Sequence, residues 1–260
     1  MTPFQLPTST LPFGFVLTGL GAHSSRTLML AELRQLLAAC PPTASYPDYG
    51  AAILDHNVLH KRTQTTRRKS LRYLRELYDL RPETLLFRAL RDLWYQDEAA
   101  QPVLALLCAL ARDPSLRASA GVILNTPVGA GVTGQMLAYE VELHYRDHLN
   151  ANTIAKIGRN AASSWTQSGH LTGRTHKVKV TPMAGPAATA YALLLGYLCG
   201  ARGEALFATA WATMTELPDP QLHEQAFAAS RMGWLEYRHA GAVTDVQFAY
   251  LLREEGQDRE

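Results

Sequence analysis

The sequence predicts a mainly α protein: a helical bundle with a helix-turn-helix-like N-terminal unit, a winged-helix-like central unit with a small β-hairpin, and additional C-terminal helices. Apolar residues recur at helical spacing, as at Leu71, Leu74 and Tyr78, which is typical of amphipathic helices. Prolines mark the ends and starts of several predicted helices, as at Pro41, Pro82 and Pro186. The predicted organisation has four parts: an extended arm (1–23), a helical DNA-binding-like domain (24–112), a winged helix-turn-helix-like domain (113–182) and a C-terminal helical extension (183–260).

The composition indicates a globular protein of the cytoplasm. Its 260 residues are 47% hydrophobic, which is enough for a sizeable core. The three cysteines, Cys40, Cys108 and Cys199, are too few and too far apart for a disulfide framework or a zinc module. The apolar run at 187–199 is shorter than the roughly 20 residues that a membrane span needs. No charged segment precedes the apolar patch at 13–20, so we expect neither a signal peptide nor a membrane partner.

The arm and the first domain are divided by proline. Pro3, Pro7 and Pro12 predict an extended arm rather than regular structure. In the first domain we expect helices from Ser24 or Ser25 to about Ala39, then over 47–54, 82–95 and 98–112, with one basic helix between the second and third.

The basic helix begins after a candidate N-cap among residues 63–66 and runs to about Leu80. No acidic residue occurs from Lys61 to Arg75, although the whole chain carries 25 Lys+Arg against 23 Asp+Glu. Such a local imbalance favours a docking surface for a polyanion, while an ordinary solvated helix face is the alternative. The predicted contact residues are Lys61, Arg62, Arg67, Arg68, Lys69, Arg72 and Arg75.

The central unit has the order helix, turn, helix, hairpin. Thr133 can cap a first helix with Met136, Leu137 and Val141 inward, and a turn at 146–150 leads to a second helix over 152–167. Its predicted inward residues are Ile154, Ile157, Ala161 and Trp165. Lys156, Arg159, Asn160, Ser163 and Ser164 are predicted mostly to face away.

The hairpin would follow over 171–182 around a turn at Gly173, with basic residues on it. In a winged helix-turn-helix, the second helix would enter the major groove and the hairpin would touch a phosphate backbone. The predicted DNA contacts of this unit are Lys156, Arg159, Asn160, Arg174, Lys177 and Lys179. Modules that bind proteins can have the same order of elements, so this alternative stays open.

The C-terminal extension is again predicted to be helical. We expect helices over 187–199, 204–217 and 221–233, then a hairpin over 234–248 with Gly241 in its middle. The polar residues 253–260 are expected to fray.

No motif in the chain predicts catalysis. Gly129, Gly131 and Gly134 spell G-x-G-x-x-G, but Pro127 interrupts the junction with any preceding strand and no βαβ alternation surrounds it, so a flexible loop leading into a helix is favoured. His144 and His148 are one helical turn apart, but without a third metal ligand. We therefore expect no enzyme, no cofactor and no metal site.

The N-terminal half resembles the BrxA family, small helical proteins of the bacteriophage exclusion (BREX) defence systems. The resemblance rests on 24–37, on Asn57-Val58-Leu59, on 65–80 with Arg67-Arg68-Lys69, and on 153–171. It implies a non-enzymatic DNA-binding protein that is encoded beside a methyltransferase and large ATPase-type proteins. The helices after Pro186 have no counterpart in typical members.

Together these observations predict a non-enzymatic accessory protein that binds double-stranded DNA in a bacterial anti-phage defence system of the BREX type, with other defence proteins as candidate partners. The main alternative is an interaction scaffold whose basic helix binds an acidic partner. A nucleotide-dependent enzyme that uses the Gly129 loop is a third, weaker alternative.

Overall fold

The computed structural model describes residues 3–145, 148–241 and 243–254, and it is mainly helical, as predicted. The helices in these ranges are α1 (Leu30–Ala39), α2 (Tyr46–Leu54), α3 (Gln64–Tyr78), α4 (Leu85–Trp94), α5 (Gln101–Arg112), α6 (Pro114–Ala118), α7 (Ala120–Asn125), α8 (Gly134–Tyr145), α9 (Ala151–Gln167), α10 (Pro186–Leu198), α11 (Ala210–Thr213), α12 (Asp219–Arg231) and α13 (Ala249–Leu252). Short 3-10 helices occupy Thr8–Phe13, Ala22–Ser24 and Gly203–Leu206.

Two small antiparallel sheets complete the fold. The first contains β1 (Gly131–Val132), β2 (Leu171–Thr172) and β3 (Lys177–Lys179), with β3 in the middle. The second is the predicted terminal hairpin of β4 (Glu236–Ala240) and β5 (Val243–Gln247). Residue 242, between β4 and β5, lies outside the described residues. Residues 146 and 147, which belong to the predicted turn before α9, lie outside them too.

The centre of the core is formed by α5 and α10, which pack against each other and against α4. Nearly every residue of both helices is buried, because each is surrounded by other elements rather than bordered by solvent. The apolar run at 187–199 is thus a buried core helix, as predicted. No helix within the described ranges combines the length and the hydropathy that crossing a membrane requires.

The N-terminal residues are not the extended arm that the prolines predict. Phe4 is 4% exposed, and its ring centroid lies 4.4 Å from that of Trp211. Phe15 packs on the edge of the same indole, and a 3-10 helix connects the two phenylalanines. Burial of these rings in the C-terminal part of the protein outweighs the weak helical propensity of the segment. Residues 1 and 2 lie outside the described residues.

Two predicted helices differ in extent. The first begins at Leu30 rather than at Ser24 or Ser25, because residues 22–29 pack as a separate segment against α9. The predicted helix at 204–217 is divided into a 3-10 turn and the short α11, whose N-cap is Thr209. Of residues 253–260, which are predicted to fray, only 253 and 254 are among the described residues.

One hydrophobic core runs through all four predicted parts of the chain. At the predicted boundary, Asp113 is 1% exposed and caps α6, accepting hydrogen bonds from the backbone N–H groups of Ser115 and Leu116. Its second carboxylate oxygen accepts from the backbone N–H of His23, 90 residues earlier. This point of the chain is therefore a tightly bonded part of the core rather than a linker.

Candidate nucleic-acid interface

Residues 120–179 have the order of elements of a winged helix. The helix α7 is followed by β1, α8, α9, β2 and β3, and the strand order in the sheet is β1-β3-β2. We call residues 173–176, the turn between β2 and β3, the wing. The hairpin and both helices were predicted, but β1 was not, because two residues are too short to produce a periodic pattern.

The glycines of the G-x-G-x-x-G segment lie in a turn, in β1 and at the start of α8, so the segment leads into a helix, as predicted, and pairs with the sheet on the way. Gly129, with φ of 88°, donates its N–H to the carbonyl of Lys179. Gly131 lies in β1 opposite Val178. Gly134 opens α8 and faces Gly158 of α9, where a Cβ atom would stand 2.2 Å from the Gly134 carbonyl oxygen. The glycines thus serve strand pairing and close helix packing.

The buried face of α9 holds the helix rigidly in the molecule. Asn150 caps it by accepting a hydrogen bond from the N–H of Thr153. Ile157, Ala161 and Trp165 are fully buried, as predicted, and the indole N–H of Trp165 donates to the Ser119 hydroxyl at 2.9 Å. A helix fixed in this way can present its remaining faces in defined positions.

A second face of α9 packs on residues 22–30, which we call the bridging segment. Asn160 donates to the carbonyl of His23 at 2.7 Å, and the Ser164 hydroxyl accepts from the N–H of Leu28. Asn160, which the sequence predicts as a DNA contact, is half-buried and occupied by this bond. Ser164 is buried as well. The sequence predicted both Asn160 and Ser164 to face away from the core. Both predictions fail for the same reason, because the bridging segment covers this polar face of the helix.

The third face of α9 is open. It carries Asn152, Lys156, Arg159 and Ser163, whose spacing of four, three and four residues places them in one line along the helix. We call these residues the α9 stripe. Asn152, Lys156 and Arg159 are exposed, and Ser163 is half-buried. Among the described residues, neither Lys156 nor Arg159 makes an ion pair within 4 Å.

A groove of about 500 Å³ separates the α9 stripe from the wing and the start of α8. Its polar lining includes Arg159, Ser163, Arg174, His176 and Lys177. Arg174 and His176 are exposed on the wing, as a phosphate contact requires. The ammonium group of Lys177, the first residue of β3 after the wing, donates to the Thr166 hydroxyl at 2.8 Å and to the Gly173 carbonyl, which ties the base of the wing to α9. The groove is therefore bordered by cations on both sides.

Lys179 does not belong to this surface. Its side chain is 3% exposed and forms a hydrogen-bonded ion pair with Glu216, and burial lowers the pKa of Lys179 to about 8. Lys179 is the buried residue of β3, whereas all four wing residues are exposed. The prediction that Lys179 contacts DNA is therefore wrong.

The basic helix α3 begins at the predicted cap, where Thr63 accepts from the N–H of Thr66. Arg68, Arg72 and Arg75 are exposed along one line, as predicted, and we call them the α3 stripe. Arg62 and Lys69 are also exposed. Arg72 forms an exposed ion pair with Glu76 at 2.8 Å, which constrains it little.

Two of the predicted cations near α3 have structural partners instead. Lys61 is half-buried, and its ammonium group lies 2.9 Å from a carboxylate oxygen of Glu32. Arg67 is half-buried and donates to the carbonyl of Leu54 at 3.0 Å. Both side chains thereby tie the start of α3 to α1 and α2, which makes them poor candidates for contact with a ligand.

The bridging segment connects the α3 stripe to α9. The guanidinium group of Arg26 lies 4.9 Å from the ring centroid of Tyr73 on α3, and Arg72 lies over the same ring. The Tyr78 hydroxyl at the end of α3 donates to the carbonyl of Leu28. Leu28 in turn donates its N–H to α9, as described above. Arg26 is thus a further cation between the two helices, and an isolated arginine gives no sequence signal for this position.

A buried chain of hydrogen bonds joins Asp113, His23 and Ser164. His23 Nδ1 lies 2.7 Å from Asp113 Oδ2, and His23 Nε2 lies 2.8 Å from Ser164 Oγ, which is the connectivity of a serine hydrolase triad. All three residues are at most 1% exposed, and Ser164 Oγ also donates to the Asn160 carbonyl. A nucleophile has to reach a substrate, so we assign this chain the role of fastening the bridging segment to α9.

The carboxylate of Asp113 is stabilised by this arrangement. Burial alone raises the pKa of Asp113, but the electrostatic interaction with His23 and the hydrogen bonds to the carboxylate outweigh burial and hold the pKa below its usual range.

One group of possible metal ligands was not predicted from the sequence. Glu204, His223 and His239 offer ligand atoms that all lie within 4.8 Å of one another. The sequence-based expectation of no metal site considered only neighbouring histidines, whereas these residues come from three different elements.

No family model matches this chain, and a search of the curated proteins finds no match to it. The resemblance to the BrxA family therefore stays a prediction. The fold itself is that of a mainly α protein with a winged-helix-like unit.

Proposed function

We propose that this protein binds double-stranded DNA, with α9 in the major groove and the wing against a phosphate backbone. The observation that carries the proposal is the open α9 stripe beside the basic wing. Asn152, Lys156 and Arg159 have the side-chain types that hydrogen-bond base edges and phosphates. The rigid attachment of α9 to the core gives these groups a fixed orientation.

The chemistry of the groove supports a polyanionic ligand. Arg159 on α9 and Arg174 on the wing are exposed on its two sides, and a duplex backbone could neutralise both. Neutralising each phosphate releases condensed counterions, so affinity should depend strongly on salt.

The test is fluorescence anisotropy of a labelled random duplex of about 20 base pairs, titrated at several salt concentrations. We expect the Arg159→Ala, Arg174→Ala double variant to bind more weakly across unrelated sequences. The plot of log K against log salt should become shallower by roughly 0.9 for each phosphate that the variant no longer neutralises.

The matched control is Arg231→Ala, because Arg231 is an exposed arginine on α12, outside the groove. It should bind as the original protein does. If the double variant and the control bind the duplex equally well, the groove is not the interface.

The resemblance to the BrxA family adds the proposal that DNA binding serves a BREX-type defence system, with other defence proteins as partners. Gene neighbours that encode a DNA methyltransferase and a large ATPase-type protein would support this role. A scaffold that binds an acidic protein through α3 is the second candidate, favoured by the exposed α3 stripe.

A further inference from the structure

We propose that Glu204, His223 and His239 form a binding site for a divalent transition metal, with Zn²⁺ as the ion that fits best. The residues come from the 3-10 turn at Gly203–Leu206, from α12 and from β4. Two imidazole nitrogens and one carboxylate oxygen are a ligand set that zinc uses in proteins. The proposal is independent of DNA binding, since none of these residues lines the α9 groove.

The hydrogen bonds around His239 leave one of its ring nitrogens available to a metal. The Thr244 hydroxyl donates its single proton to Glu204 Oε2. The same hydroxyl oxygen lies 2.8 Å from His239 Nδ1, so Nδ1 has to carry the proton and donate to Thr244. In the neutral imidazole with this tautomer, His239 Nε2 carries the lone pair that can bind a metal.

His223 has a comparable arrangement. Its Nδ1 lies 2.8 Å from the Tyr237 hydroxyl, while its Nε2 lies 3.3 Å from Glu204 Oε1. The ring stacks on Phe207 with centroids 4.0 Å apart and planes 9° from parallel. A hydrogen bond at one nitrogen and a stacked neighbour are the supports that orient metal-binding histidines.

The site needs only a small closure to hold an ion. Zinc bonds of about 2.0–2.2 Å place tetrahedral ligand atoms about 3.4 Å apart. The ligand atoms of Glu204, His223 and His239 already lie within 4.8 Å of one another. Glu204 is 57% exposed, so its carboxylate can move inward. Asp219 Oδ1, 3.7 Å from His223 Nε2, or a water molecule could complete the coordination.

A bound ion would fasten the terminal hairpin to the rest of the protein. Most residues of β4 and β5 are exposed, which leaves few apolar contacts to hold the hairpin. A metal bound by β4, α12 and the 3-10 turn would join three elements that are distant in sequence. The site we infer is therefore structural, and its occupancy should be measurable as thermal stability.

The experiment is isothermal titration of the EDTA-treated full chain with Zn²⁺, together with melting curves and Co²⁺ absorption spectra. We expect one equivalent to bind, the melting temperature to rise, and Co²⁺ to give the visible bands of a low-coordinate site. His239→Ala should abolish the Co²⁺ bands and the melting shift, and Glu204→Gln should weaken Zn²⁺ binding at least 10-fold. Tyr237→Phe, which removes only the support of His223, should weaken it by about 10-fold.

His56→Ala is the control, because His56 is exposed on the surface and lies outside the cluster. It should bind Zn²⁺ as the original protein does. Zinc affinity that is unchanged in His239→Ala and Glu204→Gln, with both variants folded by circular dichroism, would overturn the proposal. Equal losses in His56→Ala would overturn it too, since binding would then reflect scattered surface histidines.

Discussion

Lys179 illustrates at the residue scale how one side chain can change its role between sequence and structure. It lies in a basic hairpin, yet its ammonium group is buried and paired with Glu216. His170 Nε2 lies 3.9 Å from the same carboxylate, and burial lowers the pKa of His170 to about 3, so the imidazole stays neutral and cannot replace Lys179 as a counter-charge. Lys179 is therefore the cation that balances the charge of Glu216 at this buried position.

We expect Glu216→Gln to lower the free energy of unfolding by about 3–5 kcal/mol, because it leaves a buried ammonium group without its carboxylate. Urea denaturation followed by circular dichroism measures this. Glu224→Gln, an exposed change on α12, is the control and should stay within about 0.5 kcal/mol of the original protein. A Glu216→Gln variant as stable as this control would mean that the pair is not needed.

The packing of α8 on α9 is the feature that sets the geometry of the winged unit at the scale of elements. Gly134 and Gly158 face each other, and Ala138 is the next residue on α8 to meet Gly158. A helical glycine is normally unfavourable, since alanine is better by about 0.5–1 kcal/mol in a helix interior. Here the close approach of two backbones requires glycine.

Gly158→Ala should therefore destabilise the protein by at least about 1–3 kcal/mol, since its Cβ would stand 2.2 Å from a backbone oxygen and 2.7 Å from the Ala138 side chain. Gly50→Ala in α2 is the matched control, because nothing lies within 4 Å of its Cβ position. It should be neutral or stabilising by up to about 1 kcal/mol. Thermal denaturation measures the change in stability of both variants. If Gly158→Ala were as stable as Gly50→Ala, the packing argument would be contradicted.

At the scale of the whole molecule, the question is whether the α3 stripe and the α9 stripe serve one ligand. The bridging segment touches both helices: Arg26 lies over Tyr73 of α3, and Leu28 bonds Ser164 of α9. The two basic helices are therefore held in a fixed relation by one short piece of chain. A duplex that reached both would gain contacts without a further cost in orientation.

We expect the Arg68→Glu, Arg72→Glu variant to bind random duplex more weakly and with a shallower salt dependence, by roughly 0.9 for each phosphate that is no longer neutralised. The measurement is the same anisotropy titration, on the duplex used for the groove variants. The exposed ion pair of Arg72 with Glu76 contributes little, so the fold should persist. Unchanged affinity and slope would assign α3 to another ligand, and the scaffold that binds an acidic protein would then become the better hypothesis.

The sequence by itself determined the features that depend on neighbouring residues. Thr63 and Thr133 cap helices where predicted, the hairpin turns at Gly173, and the apolar run at 187–199 forms a helix, because caps, turns and periodicity act over a few residues. The exposure of the α3 stripe was likewise predictable from helical spacing.

Only the tertiary structure decided which polar residues remain exposed. Asn160 is covered by residues more than a hundred positions earlier, and Lys179 is paired with a carboxylate 37 residues later. The cluster of Glu204, His223 and His239 exists only because three elements meet. Burial and pairing depend on which distant segments pack together, and the main hydrophobic core draws residues from all four predicted parts of the chain.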